Sequence, residues 1–306
     1  EIAATLDGDE NMQPDLVTLK ARTDSESFKV YDSIRGVTKH IEWDTTDPEA
    51  TEAQGLKSFD SDGFTIGTYS SINASSSHNY VAWCWKESAD AGFDIITYSG
   101  TGSAKNESHS LSATPHWILT KCRSTGQSWA THNKSYSATE KVLYLDNTNA
   151  LASTDPDWLT AVSSSTISLG GSGSDANTSG RTYVAYLWSE KQGFSKFGSY
   201  TGNGNDDGPF VFCGFRPAFV ICKRTDSSDN WMMVDNKRGS INLIDEVIFS
   251  DLNQAEVETN ACDFLSNGFK AKTTSTWINA SGGTYIYMAF AEQPFVNSNG
   301  VPCNAR

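Results

Sequence analysis

No apolar run in this 306-residue chain reaches membrane-spanning length, and no basic-then-apolar leader stands at its N-terminus, so neither membrane insertion nor a secretory signal is expected. Basic residues are scarce. Twenty-three Lys and Arg face 37 Asp and Glu, a net charge of −14, which excludes the basic stripe that nucleic-acid wrapping requires. Charged residues make up only 20% while Ser, Thr, Gly and Asn are abundant, which excludes a helical bundle and points to a loop-rich β protein. The six cysteines, at 84, 122, 213, 222, 262 and 303, form no CxxC pair and do not recur with any period. They read as small buried hydrophobes in a reducing environment, with one disulfide pair left open.

What is present is a repeat. Pro217–Lys223 (PAFVICK) is matched by Pro115–Lys121 (PHWILTK) and Pro14–Lys20 (PDLVTLK), with intervals of 101 and 102 residues. A polar turn and a second apolar run follow each: Phe28–Tyr31, Trp129–His132 and Trp231–Val234. Asp32–Gly36 (DSIRG) and Asp235–Gly239 (DNKRG) close two copies, whereas the middle one has Thr131–Lys134 (THNK). Each copy ends on its most apolar strand, Tyr80–Trp85, Tyr183–Trp188 and Tyr287–Ala291. A period of this length marks a triplicated unit. Its boundaries fall after the closing strands, giving 1–86, 87–191 and 192–306, with a polar tail over 294–306.

Within each unit the pattern is four to six short strands joined by Gly, Ser and Asn turns, so the fold class is all-β, a tandem β-sandwich in three copies. Phe219–Arg224 is apolar on both faces at its start and reads as a central strand, with Pro217 before its first position. The region rich in Asp, Thr, Ala and Glu in mid-unit is expected to hold a short helical turn, for example over Asn253–Glu258. Gly92–Gly102 and Gly193–Gly204 align as a strand and glycine turn, and the first copy lacks this element. That copy is expected to be incomplete at its N-terminal end, its missing strand coming from upstream chain or from a neighbour.

Catalytic signals are weak. Histidines at 40, 78, 109, 116 and 132 match no two-ligand helix spacing, and none lies in the third copy. Asp206 and Asp207 in the loop Gly202–Gly208 offer oxygen ligands for Ca²⁺, but the aligned loop at Gly100–Lys105 has no carboxylate, so turn chemistry is preferred. No cofactor is expected. Acid pairs such as Asp155/Asp157 and Asp229/Asp235 leave a glycosidase formally open.

The recurrent cations Lys20, Lys121 and Lys223, with Arg35 and Arg238, read first as structural, pairing with Asp32 and Asp235 across a hairpin or reaching solvent from a strand end. Trp83, Trp85, Tyr186, Trp188 and Phe290 are assigned to cores or seams. Trp129 and Trp231, beside turns, and Trp43, Trp158 and Trp277, which are single occurrences, are the aromatics expected at the surface, with Trp129, Trp158, Trp231 and Trp277 taken for glycan or partner contact. Five N-x-S sequons, at Asn73, Asn106, Asn133, Asn177 and Asn279, read as by-products of Asn/Ser-rich turns.

Gly193–Gly239, Asp263–Lys270 and Asn279–Phe295 resemble a module of tail-associated and other virion structural proteins of marine and cyanobacterial tailed phages. The likeness is strong in the third copy, good in the second and more diverged in the first. It implies a jelly-roll or concanavalin-like sandwich and supplies no catalytic motif. The expectation is a non-enzymatic virion protein, in a tail fibre, tail-associated adhesin or head appendage, forming a homo-oligomer with other virion proteins as partners. The alternatives are a module binding host surface glycan and a polysaccharide-degrading enzyme.

Overall fold

The central strand of each inner sheet begins two residues after a proline, where the ring's missing N–H costs no ladder hydrogen bond. The computed structural model describes residues 1–6, 11–74, 78–136, 141–152, 158–171, 175–239 and 242–292. Asp155, Asp157, Cys303 and the tail after residue 292 lie outside the described residues.

The first repeat comprises β1 (Ile2–Thr5), β2 (Leu16–Ala21), β3 (Lys29–Asp32), β4 (Lys39–His40), β5 (Ala50–Thr51), β6 (Leu56–Asp60), β7 (Gly63–Ile66), the one-turn helix α1 (Ser70–Asn73) and β8 (Tyr80–Trp85). The second has β9 (Phe93–Ser99), β10 (Lys105–Ser108), β11 (Trp117–Cys122), β12 (Ala130–Asn133), β13 (Leu143–Tyr144), β14 (Ala161–Val162), β15 (Thr166–Leu169) and β16 (Thr182–Trp188). The third has β17 (Ser195–Thr201), β18 (Phe210–Phe212), β19 (Phe219–Arg224), β20 (Met232–Asp235), β21 (Ile244–Phe249), β22 (Val257–Leu265), β23 (Gly268–Ala271), α2 (Thr276–Asn279) and β24 (Thr284–Phe290). The chain is thus predominantly β, as its composition requires.

The inner sheets run β3-β2-β8 and β13-β12-β11-β16-β9, and the outer sheets of the same repeats run β1-β7-β6 and β10-β15-β14. In the third repeat the two layers join as one eight-stranded sheet, β17-β24-β19-β20-β21-β22-β23-β18, because β21 pairs with both β20 and β22. The strands after the prolines are central, each paired on both sides, and both their faces are apolar because a core packs against each. No helix covers Asn253–Glu258, since that loop enters β22 directly; the helical turns instead sit at α1 and α2, just before β8 and β24. Gly63 and Gly268 open matching strands where a Cβ would lie 2.0 Å from the carbonyl oxygen of Ala4 or Val211, so neither can carry a side chain.

Alternation along the central strands divides the apolar residues between two cores. Trp117 and Leu119, like Phe219 and Ile221, point to one central core, while Ile118 and Cys122, like Val220 and Cys222, point to an outer core belonging to their own repeat. The central core draws on all three repeats, with Trp83 and Trp85, Tyr186 and Trp188, and Met288 and Phe290 as equivalent contributions. Trp85 meets Trp188, Phe219 and Phe290 edge-on at 5.8–6.1 Å between centroids, so rings from all three repeats interlock. The seam role expected for these aromatics holds. Five cysteines are free thiols, four of them buried.

Since one core serves three repeats, heat should unfold them together. Truncating Trp188 to Ala is expected to cost about 3–5 kcal/mol and to lower a single calorimetric transition. Separate transitions for separate repeats would contradict the shared core.

Candidate functional site

The inward face of each central strand ends on its lysine, and Lys20, Lys121 and Lys223 are at most 1% exposed. None reaches solvent, contrary to the expectation of a strand-end ammonium. Each ammonium donates to backbone carbonyls, one of which belongs to the neighbouring repeat. Lys121 Nζ bonds Thr46 O at 2.9 Å, Lys223 Nζ bonds Thr148 O at 3.2 Å, and Lys20 Nζ bonds Asn253 O at 3.3 Å. The second repeat therefore grips the first, the third grips the second, and the first grips the third. The ring closes. Further carbonyls complete the shell, among them Ala21, Gln127 and Arg224 at 2.7–2.8 Å. Burial pushes all three ammoniums down to about 8, which leaves them protonated at neutral pH.

The carbonyls belong to a loop with one plan in all three copies. Asp44, Asp146 and Asp251 accept the backbone N–H of Phe28, Trp129 and Trp231 at 2.7–3.0 Å. Two residues later comes the carbonyl that receives the lysine. Five residues after the aspartate, the N–H of Glu49, Leu151 or Glu256 donates to Arg123, Thr225 or Arg22 of the neighbour at 2.8–2.9 Å. Burial raises the Asp251 carboxyl to about 6. The aspartates were not singled out in the sequence because their intervals, 102 and 105 residues, drift from those of the lysines.

Two of the three seams add ions. Arg123 forks onto Glu49 at 2.9 and 3.1 Å, and Arg22 onto Glu256 at 2.8–3.2 Å and Glu246 at 3.0 Å. Behind them Arg35 pairs with Asp32, and Arg238 with Asp235. These pairs are local, three residues apart, rather than across the hairpin. Each arginine also reaches its own seam glutamate, Glu49 or Glu256. The aspartates in turn accept from the neighbour's closing strand, Tyr186 Oη on Asp32 at 2.6 Å and Trp83 Nε1 on Asp235 at 3.0 Å.

The seam between the second and third repeats replaces this network as a set. Asn133 stands for the aspartate, Tyr136 for the arginine, Leu151 for the glutamate, Thr225 for the outer arginine and Met288 for the hydroxyl or indole donor. Tyr136 Oη donates to Thr131 O, the carbonyl equivalent to those of Val30 and Met233 that Arg35 and Arg238 bond. Tyr136 and Leu151 pack against the central core. A lone buried charge would be costly here, so the substitutions have to occur together.

Trp129 and Trp231 are fully buried, correcting the expectation of exposure. Their indole N–H groups donate across the seams to Glu42 O at 2.7 Å and Tyr144 O at 2.9 Å. Trp158 is equally buried, in the outer core of the second repeat, Trp43 is buried in the central core, and Trp277 is half-buried edge-on against Phe249. No sugar platform forms from the four buried rings. Asn177 and Asn279 are buried too. Their amides bond Gly170 O and Thr273 O, as Asn73 bonds Gly67 O, at 2.6–2.8 Å. These three sequons are a fold position, and their intervals of 104 and 102 residues were the available signal.

Asp207 pairs with Lys270 at 2.5 Å while Asp206 is exposed. Among the described residues no three His, Cys, Asp or Glu converge as metal ligands. Burial, reinforced by Asp94, raises the Glu87 carboxyl to about 7.

A family model described as a domain of unknown function (DUF7483) matches residues 6–294. No curated protein and no solved structure matches the chain.

Replacing Lys121 by Ala strips three carbonyls of their donor and is expected to cost about 2–4 kcal/mol, against less than about 0.5 for an exposed lysine such as Lys86. Chemical denaturation of both variants measures this. Asn133→Asp alone should destabilise by about 1–3 kcal/mol, and a double-mutant cycle with Tyr136→Arg should show favourable coupling. The histidines set an acid limit. Burial pushes His40 and His132 down to about 4 from an unfolded value near 6.5. The unfolded chain then binds more protons between those values, so stability is lost as pH falls from about 6.5 to 4. The thermal midpoint of a His132→Phe variant should fall less steeply over that window than that of the wild type.

Proposed function

We propose, from the premise that the chain belongs to the DUF7483 family, that it is a non-enzymatic structural protein of a phage virion, serving in a tail fibre, tail-associated adhesin or head appendage. The observation that carries this reading is the use to which the recurrent polar residues are put. Lysines, arginines, aspartates and indoles that a binding or catalytic protein would present are consumed in fastening three repeats into one ring. A rigid block with a shared core suits a particle component that transmits force or holds a neighbour at fixed geometry.

The resemblance of the third repeat to virion modules supports the same reading and extends it. Each repeat is a jelly-roll or concanavalin-like sandwich, the protein resides in the virion, and it assembles as a homo-oligomer with other virion proteins. Multiple copies on a particle would give any host contact the benefit of multivalency.

Antibodies raised against the chain, used in gold-label electron microscopy of purified particles from its phage, test the proposal. Labelling at a fixed place on the particle is expected. A chain abundant in lysate but missing from purified particles would overturn it.

A further inference from the structure

The inner sheet of the first repeat stops at β8, whereas the equivalent strands β16 and β24 are each covered by a further antiparallel strand, β9 or β17. Arg22 N–H donates to Asn79 O and Asp15 N–H to Trp85 O, so odd-numbered residues of β8 turn their backbone groups toward β2. Tyr80, Ala82 and Cys84 therefore direct N–H and C=O groups outward. No described residue pairs with that edge. Burial agrees. Tyr183, Val184, Ala185 and Leu187 are at 0% exposure, and Tyr285, Ile286, Tyr287 and Ala289 at 3% or less, while Tyr80, Val81, Ala82 and Cys84 are half-buried.

We propose that the free edge of β8 is a strand-accepting site, and that its occupant is an extended segment, from outside residues 1–306, repeating the side-chain pattern of β9 and β17. The two covered copies specify that pattern. Opposite the last tryptophan, Phe93 stacks on Trp188 at 4.8 Å between centroids, and Trp85 offers the same ring. Two positions on, Ile95 and Phe197 enter the central core. Near the far end, Tyr98 stacks on Tyr183 at 5.2 Å and Tyr200 on Tyr285 at 4.9 Å, nearly parallel. Their hydroxyls donate to Ala176 O and Ile278 O, both at 2.8 Å. These carbonyls precede the buried Asn177 and Asn279, so Ile72 O, before Asn73, is the matching acceptor. An apolar residue followed three positions later by a tyrosine is common to both copies; at the first position β17 has Ser195 opposite Phe290, so the aromatic residue that suits Trp85 follows β9 alone. Main-chain pairing supplies affinity and the aromatic pockets supply register, as in other strand-addition complexes.

The test uses the 306-residue chain and a peptide of its own residues 92–99, GFDIITYS. Hydrogen exchange followed by mass spectrometry should show protection of residues 80–85, with the Tyr80, Ala82 and Cys84 amides slowed about tenfold at peptide near ten times its Kd. A peptide carrying Tyr98→Ala should protect at least about tenfold more weakly. Ala82→Pro removes an outward N–H while sparing the bonds to β2, so this variant should keep its circular dichroism spectrum and lose peptide binding. If Ala82→Pro perturbs folding, the Tyr98→Ala peptide on the wild-type chain decides alone. No protection at millimolar peptide, or equal protection by both peptides, would overturn the proposal. So would protection of β8 without peptide that grows with protein concentration, since a second copy would then be the occupant.

Discussion

The architecture depends on a buried ammonium that must be satisfied from across a seam. A lysine at the end of an inward strand face cannot shed its charge into water, and the carbonyls of its own turn do not complete its shell. The neighbour's loop supplies the remaining acceptor, and the same demand passes around three repeats until it closes on the first. Nonpolar contact alone would hold the repeats together at many angles. Ammonium, carbonyl and aspartate together admit one.

Energetically the clasps and the core do different things. The central core, to which every repeat brings large rings, is the source of cohesion, because apolar burial is non-directional and scales with area. The buried ion pairs of the first and third repeats add less than their number suggests, since desolvation offsets much of their attraction. Their contribution is to penalise wrong alignments, in which a guanidinium or carboxylate would be left unpaired. The seam between the second and third repeats reaches the same alignment through a tyrosine hydroxyl that takes over the carbonyl contact of an arginine.

The repeat and its central strand were legible because the Pro-to-Lys stretch has no insertions and its apolar pattern survives in all copies, whereas the closing strand of the third copy starts earlier than Tyr287, with Tyr285 in the place of Tyr80 and Tyr183. Which charged groups were buried was not legible. A lysine at a strand end reads as solvated, and its true partners here are carbonyls, which leave no mark in a sequence. Trp129 and Trp231 misled for a related reason. A ring after a polar turn looks peripheral within its own repeat, and only the adjacent repeat covers it. That the middle copy departs at Thr131–Lys134 was visible, but not that Asn133 and Tyr136 take the places of the aspartate and arginine, nor their coupling to Leu151, Thr225 and Met288, which lie far along the chain.

The seam in which Leu151 and Thr225 replace the glutamate and arginine has a bearing on assembly. A ring of three equivalent joints presents the same surface in three rotational settings, and anything docking along its axis could engage it in any of them. With arginine–glutamate pairs at two joints and an apolar and a hydroxyl residue in their place at the third, the degeneracy is lifted, and the object acquires a compass point from which a neighbour could take its bearing.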